Sequence, residues 1–256
     1  MTLFHRFIGI DYSGAATPIT PLPGLRVFEA RHDALPLEVR PPNPALPHWT
    51  RKSIAEWLLE GILAGEPLLI GIDHGFSFPL AYFAQHGLSG NWDGFLEDFC
   101  SHWPSDQEMR TVRSLREGNP RSGHSRARRH VEVLARAKSV FHFDVPGSVA
   151  SSTHAGLPWL RWIRKRAGSA LHCWPYDGTR IPGGCSVIAE AYPALWFRAG
   201  CPGDWSRDQW DAYLITEAFA KASQSGFLSS WFEPQWPKPL NPLIAKEGWI
   251  LGFSGG

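Results

Sequence analysis

Charge is scarce in this 256-residue chain: Asp, Glu, Lys and Arg make up 19% of it, against 43% hydrophobic residues. That balance excludes wholesale disorder, which needs low hydrophobicity and high charge. Long apolar runs are missing too. None approaches the ~20 residues of a membrane span, so no transmembrane helix is expected. Cysteine is sparse, and the four present (Cys100, Cys173, Cys185, Cys201) form no Cys-x-x-Cys pair. A disulfide scaffold and a zinc ribbon are both disfavoured. Met1 to Arg6 runs into a strand-like segment with no signal-peptide layout, and the expectation is a cytoplasmic, reducing location. No Gly-x-Ser-x-Gly elbow surrounds Ser13 or Ser77, which leaves a serine hydrolase weakly supported. No repeat of solenoid period and no Gly/Ser linker divides the chain.

What is abundant is Trp (13) and Pro (22), the mark of a loop-rich globular protein with much aromatic packing. Phe7 to Asp11 and Leu68 to Asp73 are continuous apolar runs that each end in an acid, and Val187 to Glu190 is a third. Leu25 to Ala30 is a further strand after a Pro/Gly turn, and the Pro-rich stretch over Pro36–Pro47 is irregular or edge-like. Ser53-Ile54-Ala55-Glu56 has the form of a capping box for a helix with Ile54, Trp57, Leu58 and Ile62 on one face. Ser206 with Gln209 starts another helix, over Trp210 to Ala222. The expected fold is α/β, one domain over 1–256. Its core spans about 7–90 and 170–222, with an Arg-rich insertion at 91–169 before the last core strand and a Pro-rich C-terminal wrap at 234–256.

The repeated tetrapeptide Ile8-Gly9-Ile10-Asp11 and Ile70-Gly71-Ile72-Asp73 is the sharpest internal signal. Two such strands, with a helix between them, suit neighbouring positions in a largely parallel sheet buried on both faces. Asp11 and Asp73 then emerge side by side at the carboxyl edge, where open α/β sheets place ligands. Adjacent carboxylates repel unless a proton or cation lies between them, and an oxygen-only donor set favours Mg²⁺ or Mn²⁺. The competing reading is that each Asp caps the turn that follows it. Glu190 ends its strand as the other two acids do, or is an ordinary strand-end carboxylate. Asp211 shares a helical face with Leu214, Ile215, Ala218 and Ala222, and an acid there needs a partner or a metal. Asp208, one turn earlier, assists it or complements the helix N-terminus.

Gly9-Ile10-Asp11-Tyr12-Ser13-Gly14-Ala15, Gly71-Ile72-Asp73-His74-Gly75-Phe76-Ser77-Phe78-Pro79, Ala189-Glu190-Ala191-Tyr192-Pro193 and Asp208-Gln209-Trp210-Asp211-Ala212-Tyr213, in that order, resemble the domain of unknown function 429 family. Lys138 to Phe143, Pro146 to Val149 and Thr153 to Gly156 are similar to its members as well. The family is regarded as predicted nucleases of ribonuclease H-like fold. The resemblance implies a mixed sheet flanked by helices, with Asp11 and Asp73 on adjacent central strands and Glu190 and Asp211 completing the acidic cluster. In such nucleases the acids hold two Mg²⁺ ions, one activating the attacking water and one stabilising the leaving 3′ oxygen. The family's helix glutamate has only Glu56 as a counterpart, and the capping box already explains that residue, so Glu190 takes the role.

Residues 110–130 carry Arg110, Arg113, Arg116, Arg121, Arg126, Arg128 and Arg129 against Glu117 alone. Such a cluster suits a phosphate backbone or is a solvated surface balanced by the acids of residues 91–108. Arg113, Arg121, Arg126, Arg128 and Arg129 are the expected substrate contacts, with His74, Ser13 and Thr153 as secondary ones; His74 equally reads as hydrogen-bonded structure. The expected function is hydrolysis of DNA or RNA phosphodiester bonds with Mg²⁺ or Mn²⁺, with nucleic acid as the partner and no membrane. Two other readings stand beside it. One is an actin- or sugar-kinase-like phosphotransferase, for which Asp11-Tyr12-Ser13-Gly14 loosely resembles a phosphate loop. The other is a non-catalytic nucleic-acid-binding module.

Overall fold

The computed structural model describes residues 4–31, 34–234, 236 and 241–255. In chain order the elements are β1 (Arg6–Asp11), β2 (Arg26–Arg31), β3 (Leu37–Glu38), α1 (Arg51–Leu63), β4 (Leu68–Asp73), α2 (Leu80–Gln85), α3 (Trp92–His102), α4 (Val112–Arg116), α5 (His130–Leu134), α6 (Ala150–Ala167), β5 (Leu171–Cys173), β6 (Ser186–Glu190), α7 (Arg207–Gln224), α8 (Leu228–Phe232) and α9 (Asn241–Glu247). The strands form one six-stranded mixed sheet in the order β3-β2-β1-β4-β6-β5. β2 runs antiparallel to both β1 and β3, while β1, β4, β6 and β5 are mutually parallel. The expected α/β class with a mixed sheet between helices is therefore present.

The central strands are apolar through their interiors because both sheet faces are covered, and side chains alternate between the faces. Ile8, Ile10, Ile70, Ile72 and Ile188 pack into one core with Ile54 and Leu58 of α1 and Leu157 and Leu160 of α6. Phe7, Leu69, Val187 and Ala189 pack into the other with Ile215 and Phe219 of α7. The glycines of the repeated tetrapeptide lie on the α7 side, and they are what lets that helix approach. A Cβ at Gly9 would come within 2.4 Å of the Ala212 carbonyl oxygen and 2.7 Å of the Thr216 nitrogen; one at Gly71 would meet Phe219 at 2.6 Å.

Three expectations about local structure need correction. The cap of α1 is Thr50, not Ser53. Thr50 Oγ1 accepts the Ser53 N–H at 2.9 Å and Ser53 Oγ accepts the Thr50 N–H at 3.0 Å, so Glu56 lies beyond the box, exposed on the helix surface. Hydroxyls at both ends close this box, and the Ser-x-x-Glu spacing one turn later is coincidental. Residues 80–167 are strand-free among the described residues, yet α6 is no appendage, since it shares the core with α1. The C-terminal wrap contains α9 and then bridges the sheet, with Leu251 N–H donating to Glu190 O at 3.0 Å. Its Pro237 and Pro239 lie outside the described residues.

Candidate active site

Strand register decides which acids meet. Asp11 pairs with Asp73 in the parallel β1–β4 ladder, as Gly9 pairs with Gly71. Two residues after a glycine, each Asp lies on the glycine's side of the sheet, toward the first turn of α7. That turn holds Asp208 and Asp211, capped by Ser206 accepting from Gln209 N–H at 3.1 Å. Asp11 and Asp73 are partly buried, and among the described residues neither carboxylate has a hydrogen-bond or ion-pair partner. Burial, followed by the charges of Asp73, Asp208 and Asp211, holds the Asp11 carboxyl well above the ordinary range. Burial, then Asp211 and Glu190, pushes Asp73 up to about 8. The Arg207 guanidinium opposes both shifts.

Asp11 opens onto a cleft of about 890 Å³. Ser13, Ala15 and Asp208 line it on the sheet side. Arg113 and Arg116 of α4 and Ser148, Ser151 and Ser152 around the start of α6 line it elsewhere. The loop after β1 is held from behind by Arg51, a fully buried guanidinium that donates to the carbonyls of Ser13 (3.2 Å), Ala15 (2.6 Å) and Ala16 (3.1 Å). Asp73 borders a smaller pocket of about 160 Å³ shared with His74, Arg129, Arg136, Lys138, Glu190 and Tyr192.

The other expected site residues divide sharply. Asp208 lies on the cleft wall, its carboxyl raised chiefly by burial. Asp211 has its partner: Arg207 Nε donates to both carboxylate oxygens at 2.9 and 2.8 Å. Glu190 shares the smaller pocket with Asp73, and its charge reaches that carboxyl, but it is not in register with the Asp pair. In β6 the acid follows Ala189 directly, so it falls on the side of Ile72, its register partner. There Arg129 donates to both of its oxygens and the Phe76 N–H donates to one of them.

Arg129 is therefore not part of a surface track: it is 1% exposed and bonded to Glu190 and Glu132. Arg121 is likewise consumed, by a bidentate pair with Asp98 at 2.6 and 2.8 Å. Arg113, Arg126 and Arg128 are exposed and have no carboxylate partner among the described residues. Ser13 is at the cleft as expected. Thr153 is fully buried instead, its Oγ1 accepting the Gly75 N–H at 2.8 Å. His74 is the hydrogen-bonded residue of the alternative reading, with Nδ1 2.9 Å from Gly75 O and its ring between Tyr12 and Phe76. Burial pushes its pKa down to about 4.

Sequence reasoning missed Arg51, Arg207 and the serines at the start of α6. For Arg51 a signal existed: a cation in the first turn of a helix opposes the macrodipole and calls for another reason to be there. Among the described residues no group of three His, Cys, Asp or Glu side chains is gathered to hold a metal ion, and no helix is long and apolar enough to cross a membrane. The Asp11–Asp73 pair still suits a hard divalent cation, since Mg²⁺ is commonly bound through one or two carboxylates while keeping several waters. No family model, curated protein or solved structure matches the chain.

Proposed function

We propose that this chain is a divalent-metal-dependent phosphodiesterase of ribonuclease H-like fold that acts on nucleic acid. The observation that carries the reading is the Asp11–Asp73 pair. Two carboxylates stand in register at the carboxyl ends of parallel strands, neither ion-paired among the described residues, and one of them, Asp11, lines a cleft that Arg113 and Arg116 also line. A cation between them would favour the ionised form of both. Asp11 and Asp73 would hold Mg²⁺ or Mn²⁺, which supplies stabilisation of the charge that grows on the phosphoryl oxygens during in-line displacement.

The chain's own residues do the rest. Arg113 draws the phosphate backbone into the cleft, while Arg116, over the Phe143 ring at 4.6 Å and bonded to both Asp144 oxygens at 2.8 and 2.7 Å, shapes that wall. Ser148 and Ser151 offer hydroxyls on the same side. Arg51 keeps the 13–16 loop, and with it the edge that Asp11 ends, in one geometry. Arg207 holds Asp211 in place and tempers the negative charge around Asp11.

The test is a Mn²⁺-supplemented cleavage panel of single-stranded and duplex DNA, RNA, hybrids and branched junctions, with Asp11→Asn and Asp73→Asn in parallel. Cleavage by the wild type that chelator and either variant abolish supports the reading. Full activity retained in both variants sinks it.

A further inference from the structure

Glu190 and Arg129 form a buried pair that the reaction scheme above does not use. Arg129 Nη2 donates to Glu190 Oε1 at 2.5 Å and Nη1 to Oε2 at 2.6 Å; the Phe76 N–H adds a third bond at 3.0 Å. Four of the five guanidinium N–H groups of Arg129, and its backbone N–H, are engaged in all. Its Nε and backbone N–H both go to Glu132, each at 2.9 Å, and Nη1 also reaches the Glu247 carbonyl at 3.3 Å. The Glu247 carboxylate accepts the N–H groups of Leu80 and His130, both at 2.6 Å, and so ties the C-terminal segment down over the guanidinium. Side-chain exposure of Arg129, Glu132 and Glu190 is 1%, 1% and 6%.

We infer that Arg129 is the built-in cation of Glu190, so that the site takes one divalent ion, between Asp11 and Asp73, rather than two. This rests on the metal-dependent reading. Three observations carry it. Side-chain alternation turns Glu190 to the Ile72 side of β6, so it reaches Asp73 only across the shared pocket at the strand ends. Its carboxylate already accepts three charge-assisted or backbone bonds. Freeing it for a second ion would leave a buried guanidinium short of partners, the costly outcome for a buried pair. A second divalent ion on that side would also face the fixed positive charge bordering the Asp73 pocket. Arg129 touches no reacting atom in this scheme; it is a positioning residue that keeps Glu190 out of the ligand set.

The experiment is titration calorimetry of the full chain with MnCl₂ alone, for wild type, Glu190→Gln and Asp73→Asn. One ion per wild-type chain is expected. Glu190→Gln should keep that stoichiometry with affinity within about threefold, and Asp73→Asn should weaken binding by more than about tenfold. Two ions per chain, or Glu190→Gln losing an ion or more than about tenfold in affinity, overturns the inference. No binding to folded wild-type protein overturns the metal-dependent reading beneath it. If Glu190→Gln does not fold, an anomalous map of wild-type crystals soaked in MnCl₂ needs no variant. A single peak between Asp11 and Asp73 upholds the inference, and a peak against Glu190 with Arg129 displaced refutes it.

Discussion

Gly9→Ala tests the central packing argument directly. In a strand interior alanine ordinarily improves on glycine by ~0.5–1 kcal/mol, because glycine loses more backbone freedom on folding. Here the added Cβ would lie 2.4 Å from Ala212 O, 2.5 Å from Thr216 Oγ1 and 2.7 Å from Thr216 N. Two of the three are backbone atoms of α7 and cannot rotate away, so the helix itself must move. The cost falls at the upper end of the ~1–3 kcal/mol typical of overpacking. Set against the propensity gain, the net is a destabilisation of about 2 kcal/mol, or a melting temperature lower by roughly 4–8 °C for a chain of this size. The shift should also carry the first turn of α7, with Asp208 and Asp211, away from Asp11. Thermal unfolding followed by circular dichroism gives the answer, with Gly90→Ala, where nothing lies within 4 Å, as the control. A Gly9→Ala melting temperature equal to or above wild type would refute the claim that these glycines exist to admit α7.

Asp73→Asn should raise the melting temperature at pH 8 and leave it nearly unchanged at pH 4, compared with wild type in chelator. The raised carboxyl pKa (about 8) means the folded state holds the proton that the unfolded state releases above pH ~4. The stability contribution of Asp73 therefore falls as pH rises from the unfolded value to the folded one, and the amide removes that loss. A variant destabilised equally at both pH values would contradict the assignment. Arg51→Met, which strips three carbonyls of a charged donor, should cost about 3 kcal/mol, read as a lower urea midpoint. An unchanged midpoint would mean that the loop holds itself. Arg113→Ala should weaken binding to duplex DNA and lower the salt slope by about 1, whereas Arg121→Ala should leave the slope intact, because Asp98 already occupies that guanidinium. Equal slopes for the two variants would argue against the cleft as the nucleic-acid track.

Much of the scaffold was legible along the chain. The runs Phe7–Asp11 and Leu68–Asp73 coincide with β1 and β4 to within a residue, because a strand buried on both faces leaves an uninterrupted apolar record. Ser206 with Gln209 was read correctly as a cap, since that motif is local and reciprocal. The two-residue β3 and three-residue β5 were not separable from loop; elements so short are defined by their neighbours. Glu190 reaches the same edge but with Arg129 as its partner, and a signal for its different placement is present in the sequence. In Ile-Gly-Ile-Asp the acid follows the small residue by two, whereas in Val-Ile-Ala-Glu it follows by one, which places it on the Ile72 side of the sheet.

Alternation, composition and capping motifs by themselves determine that this chain makes an α/β sheet with Asp11 and Asp73 at one edge, because each depends on residues only a few positions apart. Which charge meets which depends on the packed fold. Nothing local distinguishes Arg129, locked on Glu190 sixty-one residues away, from the exposed Arg128 beside it. Thr153 and Ser152 are equally alike in sequence, yet the turn of α6 sends one to Gly75 and leaves the other lining the cleft. Buried ion pairs and hydrogen bonds are settled by which donors lose water together, and that is decided only when distant segments close on one another.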